Sequence, residues 1–246
     1  PMNQEHAFAL AVERLMGIEI TRRAVVLRTL LSEYSRLCDH ITCIAATLME
    51  LGAMTAFLYL VMIRDYMYEH IAALTGARVT HSYGRIGGLA HDLPPGWLAR
   101  LEEILVQSDD FVGRVHGLVD RNRIFIDRMG VGMLEPGPIN VCHRRCTFPG
   151  KPLVYGEIES LINHFKLVME GPRVPAGEIY AAHEGANGEL GFYIVSTGEG
   201  NPYKVHCRAP SFVHMGGAHL MLNGGQLADI VPTFGSINMI GGECDR

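Results

Sequence analysis

The fold is decided by residues 21–52, TRRAVVLRTLLSEYSRLCDHITCIAATLMELG, a run with no proline and with glycine only at its last position. Apolar side chains recur in it at the three- and four-residue spacing of an α-helix. Thr21 is a residue type that often caps the start of a helix, and Gly52 is one that often follows its end. The stretch therefore predicts one long helix that ends at Leu51.

Further helices are predicted on both sides of this run. Residues 6–18, HAFALAVERLMGI, have helical spacing that stops at Gly17, and another helix is expected to follow Gly52 and end at Gly76. Residues 96–129 are again helical in pattern, whereas the glycines and prolines of residues 82–97, SYGRIGGLAHDLPPGW, predict a loop. We therefore expect residues 1–132 to form a helical core.

The second half of the chain has a different composition. Residues 133–153 are rich in glycine and proline and predict a connector, after which residues 154–169 have the pattern of a helix. Three strands follow, in GEIYAAHE, LGFYIVST and YKVHCRA, with a hairpin turn at Asn187-Gly188. We expect a mainly α protein with a small antiparallel β-sheet in its C-terminal third, where residues 154–246 hold a helix, the sheet and a buried C-terminal loop.

Composition excludes several classes of protein. The chain carries 21 basic and 26 acidic residues, and its basic clusters are short, so we expect no nucleic-acid partner. Its six cysteines are scattered without a disulfide pattern, which favours a reducing, cytosolic location. Residues 41–63 are apolar enough to resemble a membrane span, but Glu50 and Gly52 lie near the centre, so a buried helix pair is the better interpretation.

Polar side chains form a stripe along the long predicted helix. Its members are three or four residues apart, which places them within an arc of about 100° on the helix surface. We call this set the polar stripe; it consists of Glu33, Arg36, His40, Cys43, Thr47 and Glu50. Two interpretations stay open, a solvated helix face and a row of groups that holds or relays protons.

A second candidate site is residues 81–94, HSYGRIGGLAHDLP. Gly84, Gly87 and Gly88 let the backbone approach a ligand or another subunit closely, and Arg85 supplies a rigid set of donors. A tight turn between helices is the alternative interpretation. A phosphate-binding loop is disfavoured because the ending Gly-Lys-Ser/Thr is missing.

Metal binding by this chain is not expected. Cys142 and Cys146 are four residues apart rather than in a C-x-x-C pattern, and no second pair lies at a zinc-site distance. The sequence therefore predicts neither a zinc ion nor an iron–sulfur cluster held by these cysteines.

Several longer stretches resemble one known family. In chain order they are MNQEHAFALAVERLMGIEI, LSEYSRLCDHI, MELGAMTAFLYL, GARVTHSYGRIGGLAHDLP, ESLINHFKLVMEG, GELGFYIVS, RAPSFVH and IGGECDR. They resemble the 49 kDa subunit family of NADH-quinone oxidoreductase, respiratory complex I, which is related to the large subunit of nickel–iron hydrogenases. The resemblance implies a multihelical fold like that of the hydrogenase large subunit, with small sheets.

The resemblance also implies a function and partners. Such a subunit forms a quinone-reduction chamber with a neighbouring subunit that carries the terminal 4Fe-4S cluster, and electrons pass from that cluster to quinone as protons are pumped. The quinone is a substrate, and no cofactor is bound covalently by the chain itself. The implied partners are this iron–sulfur subunit, other subunits of the peripheral arm and a membrane-arm subunit where quinone enters, on the cytoplasmic side of the membrane.

The resemblance assigns residues to these roles. Glu50 stands where the family usually has an aspartate that hydrogen-bonds a quinone-binding histidine, and with His40 and Arg36 it forms the implied catalytic set. Tyr83, Arg85, Gly87 and Gly88 match the family's loop beside the cluster. The closing motif adds two further cofactor-binding candidates, Cys244 and Arg246.

The chain departs from the family pattern at three places. The quinone-binding histidine and tyrosine of the family belong to a segment that would precede Pro1, and Thr80 replaces a histidine that contacts the cluster in many members. A long central stretch of the family is also missing after Met129. Two rival interpretations follow: a truncated, non-catalytic scaffold for an iron–sulfur subunit, and a hydrogenase large subunit, which is disfavoured because Cys244 has no cysteine three residues before it.

Overall fold

The computed structural model describes residues 2–129, 162 and 173–245. The first part contains five helices and a two-stranded ribbon: α1 (Met2–Met16), α2 (Arg22–Glu50), α3 (Met54–Thr75), β1 (Gly84–Arg85), β2 (Gly88–Leu89), α4 (Trp97–Val119) and α5 (Arg123–Met129). The second part contains β3 (Gly177–Gly185), β4 (Gly188–Ser196), β5 (Lys204–Arg208), α6 (Pro210–Gly216), α7 (Ala218–Leu222), a 3-10 turn (Leu227–Asp229), α8 (Ile230–Ser236) and α9 (Gly241–Cys244). The predicted fold class, mainly α with a small antiparallel sheet, is confirmed.

The long helix forms as its sequence predicts. The Thr21 hydroxyl caps its start by accepting a hydrogen bond from the Ala24 backbone N–H at 3.3 Å, and the helix ends at Glu50. Gly52 adopts φ 86°, a left-handed conformation that an L side chain disfavours, and this lets the chain turn into α3. Residues 41–63 therefore belong to two helices that pack on each other rather than to one continuous span. No described helix is both long and apolar enough to cross a bilayer.

The main hydrophobic core lies where α2, α3 and α4 pack together. The His70 ring on α3 stacks on the Trp97 ring with the centroids 4.1 Å apart, and the Trp97 indole N–H donates to the His70 carbonyl at 3.2 Å. Burial lowers the pKa of His70, so its imidazole is neutral within this packing. These contacts join α3 to the start of α4.

The three-stranded sheet has the strand order β3-β4-β5, with both neighbouring pairs antiparallel. The hairpin predicted between the first two strands is present, but Gly185 pairs with Gly188, so the two turn residues are Ala186 and Asn187. The sequence signal predicts the turn one residue later, at Asn187-Gly188. One face of the sheet packs on α1 in a second, smaller core that includes Ala11, Val12, Ala181 and Ile194.

The loop predicted over residues 82–97 contains the β1–β2 ribbon, because Arg85 and Gly88 pair across a two-residue turn. The connector at 133–153 lies outside the described residues, as does the helix expected at 154–169 except for Ile162, which is helical and half exposed.

Candidate functional site

Residues 83–89, the glycine loop, are anchored at their first end by a carboxylate from α1. The Glu5 Oε2 atom accepts hydrogen bonds from the backbone N–H groups of Tyr83 at 3.1 Å and Gly84 at 3.0 Å. The other Glu5 oxygen lies 3.0 Å from Nδ1 of His81, whose side chain is almost fully buried. One carboxylate thereby fixes two backbone groups of the loop and a side chain that precedes them.

A buried ion pair anchors the other end of the glycine loop. Glu13 on α1 and Arg28 on α2 make two hydrogen bonds of 2.9 and 2.7 Å, and both side chains are less than one tenth exposed. The Gly87 N–H donates to Glu13 at 2.7 Å, and Arg28 donates to the carbonyls of Arg85 at 2.7 Å and Gly88 at 2.9 Å. A buried ion pair whose hydrogen-bonding groups find such partners avoids much of the desolvation cost of burying charge.

These contacts decide which groups of the loop are turned outward. The Tyr83 side chain is 1% exposed and its hydroxyl donates to the His91 carbonyl at 2.6 Å; burial raises the pKa of that hydroxyl. Arg85 and Ile86, by contrast, are exposed. The side chains of Arg85 and Ile86 are therefore exposed on a loop whose backbone is hydrogen-bonded to residues of α1 and α2.

The glycines of the loop are required by sterics at two positions. A Cβ atom on Gly84 would lie 2.5 Å from Cδ2 of the buried His6 ring, closer than non-bonded carbon atoms approach each other. Gly87 adopts φ 86° in the two-residue turn, where an L side chain is disfavoured. The loop's glycines thus serve close packing against α1 and a tight turn.

Sequence reasoning missed the residues that hold the loop, namely Glu5, Glu13 and Arg28. A signal for two of them was present: Glu13 interrupts the apolar pattern of ALAVERL in α1, and Arg28 stands between Leu27 and Leu31 on α2. Charged residues at positions expected to be buried need partners. That rule would have selected them as a pair.

The middle of the polar stripe is covered by the rest of the chain, whereas Glu33 at its first end is exposed. Arg36 pairs with Glu33 at 2.8 Å and with Glu184 of β3 at 3.3 Å, and Nε2 of His40 lies 2.9 Å from the Ala186 carbonyl. Farther along, the Cys43 thiol donates to the Gly235 carbonyl at 3.2 Å. Of the two interpretations, a fully solvated face does not describe this part of the stripe.

Glu50, the last residue of the stripe, is exposed at the end of α2. It lies 22 residues beyond Arg28 in the same helix, a rise of about 33 Å at 1.5 Å per residue. The structure therefore does not bring Glu50 close to the glycine loop. A chamber that touched both would extend along most of α2.

The C-terminal residues pack on α2 and α6. Asn238 donates to Oδ2 of Asp39 at 2.7 Å, and the Glu243 carboxylate accepts from the Ser211 backbone N–H at 3.2 Å. Cys244 is a half-buried free thiol on α9. Arg246 lies outside the described residues, and in the described part of the chain no three His, Cys, Asp or Glu side chains are grouped to hold a metal ion.

A cavity of about 180 Å³ is lined by residues that adjoin both predicted cofactor-binding regions. Its wall includes His81, two residues before Tyr83, and Glu243, which precedes Cys244. Asn187 of the hairpin turn also lines it. His81, which precedes the glycine loop, and Glu243 of the C-terminal motif thus line the same cavity, although they are far apart in sequence.

Comparison with known proteins identifies the family. The family model for the 49 kDa subunit of respiratory-chain NADH dehydrogenase matches residues 50–136 and 130–246. An NADH-quinone oxidoreductase subunit of Pelobacter propionicus is 47% identical over an alignment that covers 100% of this chain and 79% of that protein. The equivalent NADH-quinone oxidoreductase subunit of Myxococcus xanthus is 37% identical over 100% of this chain and 77% of its own length. That of Anaeromyxobacter dehalogenans is 39% identical over 97% of this chain and 73% of its own length.

The same alignments bear on the central stretch of the chain. The alignment to the Pelobacter protein spans 319 positions, and because this chain has 246 residues, at least 73 of those positions have no residue here. The two family matches meet within residues 130–136, next to the predicted connector. With a relative of 47% identity along its whole length, the chain belongs to the family of 49 kDa subunits of respiratory-chain NADH dehydrogenase.

Proposed function

We propose that this chain is a core subunit of the peripheral arm of a proton-pumping NADH-quinone oxidoreductase and that it forms the quinone-reduction chamber with a neighbouring iron–sulfur subunit. The observation that carries the proposal is the 47% identity, over the whole chain, to an NADH-quinone oxidoreductase subunit. The polar stripe, whose middle is covered, and the anchored glycine loop add two sets of functional groups that such a chamber needs.

The chemistry divides between this chain and its partner. Reduction of a quinone to a quinol takes up two electrons and two protons. We assign the electron supply to a 4Fe-4S cluster in the neighbouring subunit, and the binding of quinone and the handling of protons to side chains of this chain. Other peripheral-arm subunits and a membrane-arm subunit complete the assembly on the cytoplasmic side of the membrane.

Arg85 is the residue that we assign to the cluster side. Its backbone is held by Arg28 while its side chain is exposed, so a guanidinium charge is presented at a fixed place on the outer surface of the loop. A nearby positive charge favours the more negative, reduced form of a cluster and raises its reduction potential. Cys244, which follows the cavity-lining Glu243, and Arg246 are further candidates for the side of this chain that faces the cluster.

This role predicts a shift in potential. In the assembled complex, Arg85→Gln should lower the reduction potential of the terminal cluster, measured by redox titration with electron paramagnetic resonance. Arg23→Gln serves as the control, because Arg23 is an exposed arginine that pairs with Asp92 outside the loop. An unchanged spectrum and potential in Arg85→Gln would remove Arg85 from the neighbourhood of the cluster.

The polar stripe is the proposed source of protons. Carboxylate and imidazole groups in a row can hold and exchange protons, and Arg36, His40 and Glu50 lie on one face of the same helix. Arg36 and His40 are held by the β3–β4 hairpin, whereas Glu50 is exposed and able to face a partner subunit. We therefore assign the exchangeable proton to Glu50.

Substitution of Glu50 tests this assignment directly. Glu50→Gln should lower quinone reductase activity by about a hundredfold, within the range of acid–base contributions, while the complex still assembles. Glu50→Asp, which keeps the carboxylate, is the matched control and should retain most activity. Normal turnover of Glu50→Gln would exclude Glu50 from the mechanism, and a native complex that reduces no quinone would make this chain a scaffold.

A further inference from the structure

The chain contains two Asn-Gly pairs, Asn187-Gly188 and Asn223-Gly224. In such a pair the backbone nitrogen of the glycine can attack the side-chain amide carbon of the asparagine, because a glycine has no Cβ atom that obstructs the approach. The attack requires that the asparagine side chain and the glycine backbone turn toward each other. The fold permits this movement at one pair and opposes it at the other.

Both residues of the first pair are held by other parts of the fold. Asn187 lies in the β3–β4 turn, and its Oδ1 atom accepts a hydrogen bond from the side chain of Asn238, which also donates to Asp39. Gly188 pairs with Gly185 in the antiparallel ladder. The Gly188 nitrogen therefore cannot turn toward the Asn187 side chain unless the end of the hairpin opens.

The second pair lies at the tip of a turn that follows α7. The turn consists of residues 222–225, and the Gly225 N–H closes it by donating to the Leu222 carbonyl at 3.3 Å. Asn223 has φ −70° and ψ 125°, and Gly224 has φ 85°, which are the values of a type II β-turn. The closing hydrogen bond uses neither of the groups that would react, the Asn223 amide and the Gly224 N–H.

Neither of these two groups is held by the described part of the chain. Asn223 and Gly224 are both exposed, and no hydrogen bond joins the Asn223 side chain or the Gly224 N–H to another described residue. A Cβ atom built on Gly224 would have no neighbour within 4 Å, so the surroundings leave room for the backbone to rotate. The Asn223 amide carbon and the Gly224 nitrogen are thus free to meet.

We propose that Asn223 is a site of spontaneous deamidation. The Gly224 nitrogen loses its proton and bonds to Cγ of Asn223, and the bond from Cγ to Nδ2 breaks as ammonia leaves with a proton from the solvent. One water molecule then opens the five-membered imide at either of its two carbonyl carbons, which gives an aspartate or an isoaspartate. The proposal is independent of the proposed function, because it uses neither Glu50 nor the glycine loop.

Either product adds a negative charge to a segment that leads to the polar stripe. The turn precedes the 3-10 turn Leu227–Asp229 and α8, and the Gly235 carbonyl of α8 accepts a hydrogen bond from Cys43 of the stripe. Isoaspartate also carries the main chain through the former side-chain carbon, which lengthens the backbone by one atom. Deamidation therefore alters the segment that holds α8 against the stripe.

Incubation of the purified chain in water enriched in heavy oxygen tests the site. Opening of the imide in this solvent labels the new carboxylate, and mass spectrometry of peptides locates the label and distinguishes it from deamidation during digestion in ordinary water. We expect labelled aspartate and isoaspartate at position 223, formed faster as the pH rises because the nitrogen must lose its proton, with at least tenfold less label at position 187. Absence of label at position 223, or equal labelling of the two positions, would overturn the proposal.

Unfolding separates the effect of the fold from that of the local sequence. In concentrated urea the two positions should be labelled at similar rates, because neither Asn238 nor the ladder then holds Asn187 and Gly188. Asn223→Gln is the control for the assignment and should lose the label at the turn, since its longer side chain would have to close a six-membered ring. An equally large preference for position 223 in urea would show that the turn is not the cause.

Discussion

The glycine loop and the polar stripe use the same residue types in opposite ways. Behind the loop, Glu13 and Arg28 are buried, paired with each other and bonded to loop backbone. Along the stripe, Arg36 and His40 bond to the hairpin at the surface of the sheet, and Glu50 at the end of α2 is exposed. The charges of Glu13 and Arg28 hold the loop backbone in place, whereas the stripe ends in an exposed carboxylate, that of Glu50.

Because of this difference, the buried charges are suited to positioning the loop, and the exposed carboxylate is suited to exchanging protons. A charge that is buried and fully bonded is costly to disturb and is poorly suited to exchanging protons, whereas an exposed carboxylate can change its protonation state or partner at little cost. The loop should therefore respond to substitution mainly through stability. The outer end of the stripe should respond mainly through activity.

The largest effect is expected when the buried ion pair is broken. Glu13→Ala leaves the Arg28 charge buried without its carboxylate and removes the acceptor of the Gly87 N–H, so the free energy of unfolding should fall by about 3–5 kcal/mol. Urea unfolding of the purified chain, followed by far-ultraviolet circular dichroism, measures it. Arg23→Ala, which breaks the exposed pair with Asp92, should not shift the midpoint measurably, and equal losses in both variants would contradict the comparison.

The next effect concerns the close approach of the loop to α1. Gly84→Ala places a methyl group against the buried His6 ring and should destabilise the chain by about 1–3 kcal/mol. Gly113→Ala is the matched control, since nothing lies within 4 Å of its Cβ position in the middle of α4. There alanine should stabilise by up to about 1 kcal/mol, and a loss of stability in both variants would show that the His6 contact is not the cause.

A third effect is a pH dependence carried by the same ring. The pKa of His6 is lowered from 6.5 to about 3, so between these values the unfolded chain binds a proton that the folded chain does not. The stability from neutral His6 is therefore present above pH 6.5 and is lost as the pH falls toward 3, at up to about 1.4 kcal/mol per pH unit.

His6→Gln removes this titration and keeps a group that can bond Ser32. The decrease in unfolding free energy on acidification should be smaller in the variant, with His70 and His183, whose pKa values burial also lowers, providing the remainder. Urea midpoints measured from neutral to acidic pH test it. Parallel curves for the two proteins would mean that His6 does not contribute.

The helix ends could be predicted from the local sequence, whereas the hydrogen bonds that anchor the glycine loop could not. Thr21, Gly52 and Gly76 mark helix ends in the sequence because capping and left-handed backbone are properties of single residues and their neighbours. The bonds from Glu5 to Tyr83 join residues 78 positions apart, and periodicity carries no information about such pairs. The polar stripe was found by its spacing, but spacing could not show that the hairpin and Gly235 would cover its middle.

The smallest expected effect on stability is at Glu50, and it completes the comparison. Glu50→Gln changes an exposed side chain at the end of α2, so the free energy of unfolding should stay within about 0.5 kcal/mol of the parent value. The same urea titration measures it, with Glu13→Gln as the buried counterpart that should lose several times more. A large loss at Glu50 would mean that its carboxylate is held within the folded chain, and the proposed exchange of protons at that position would lose its physical basis.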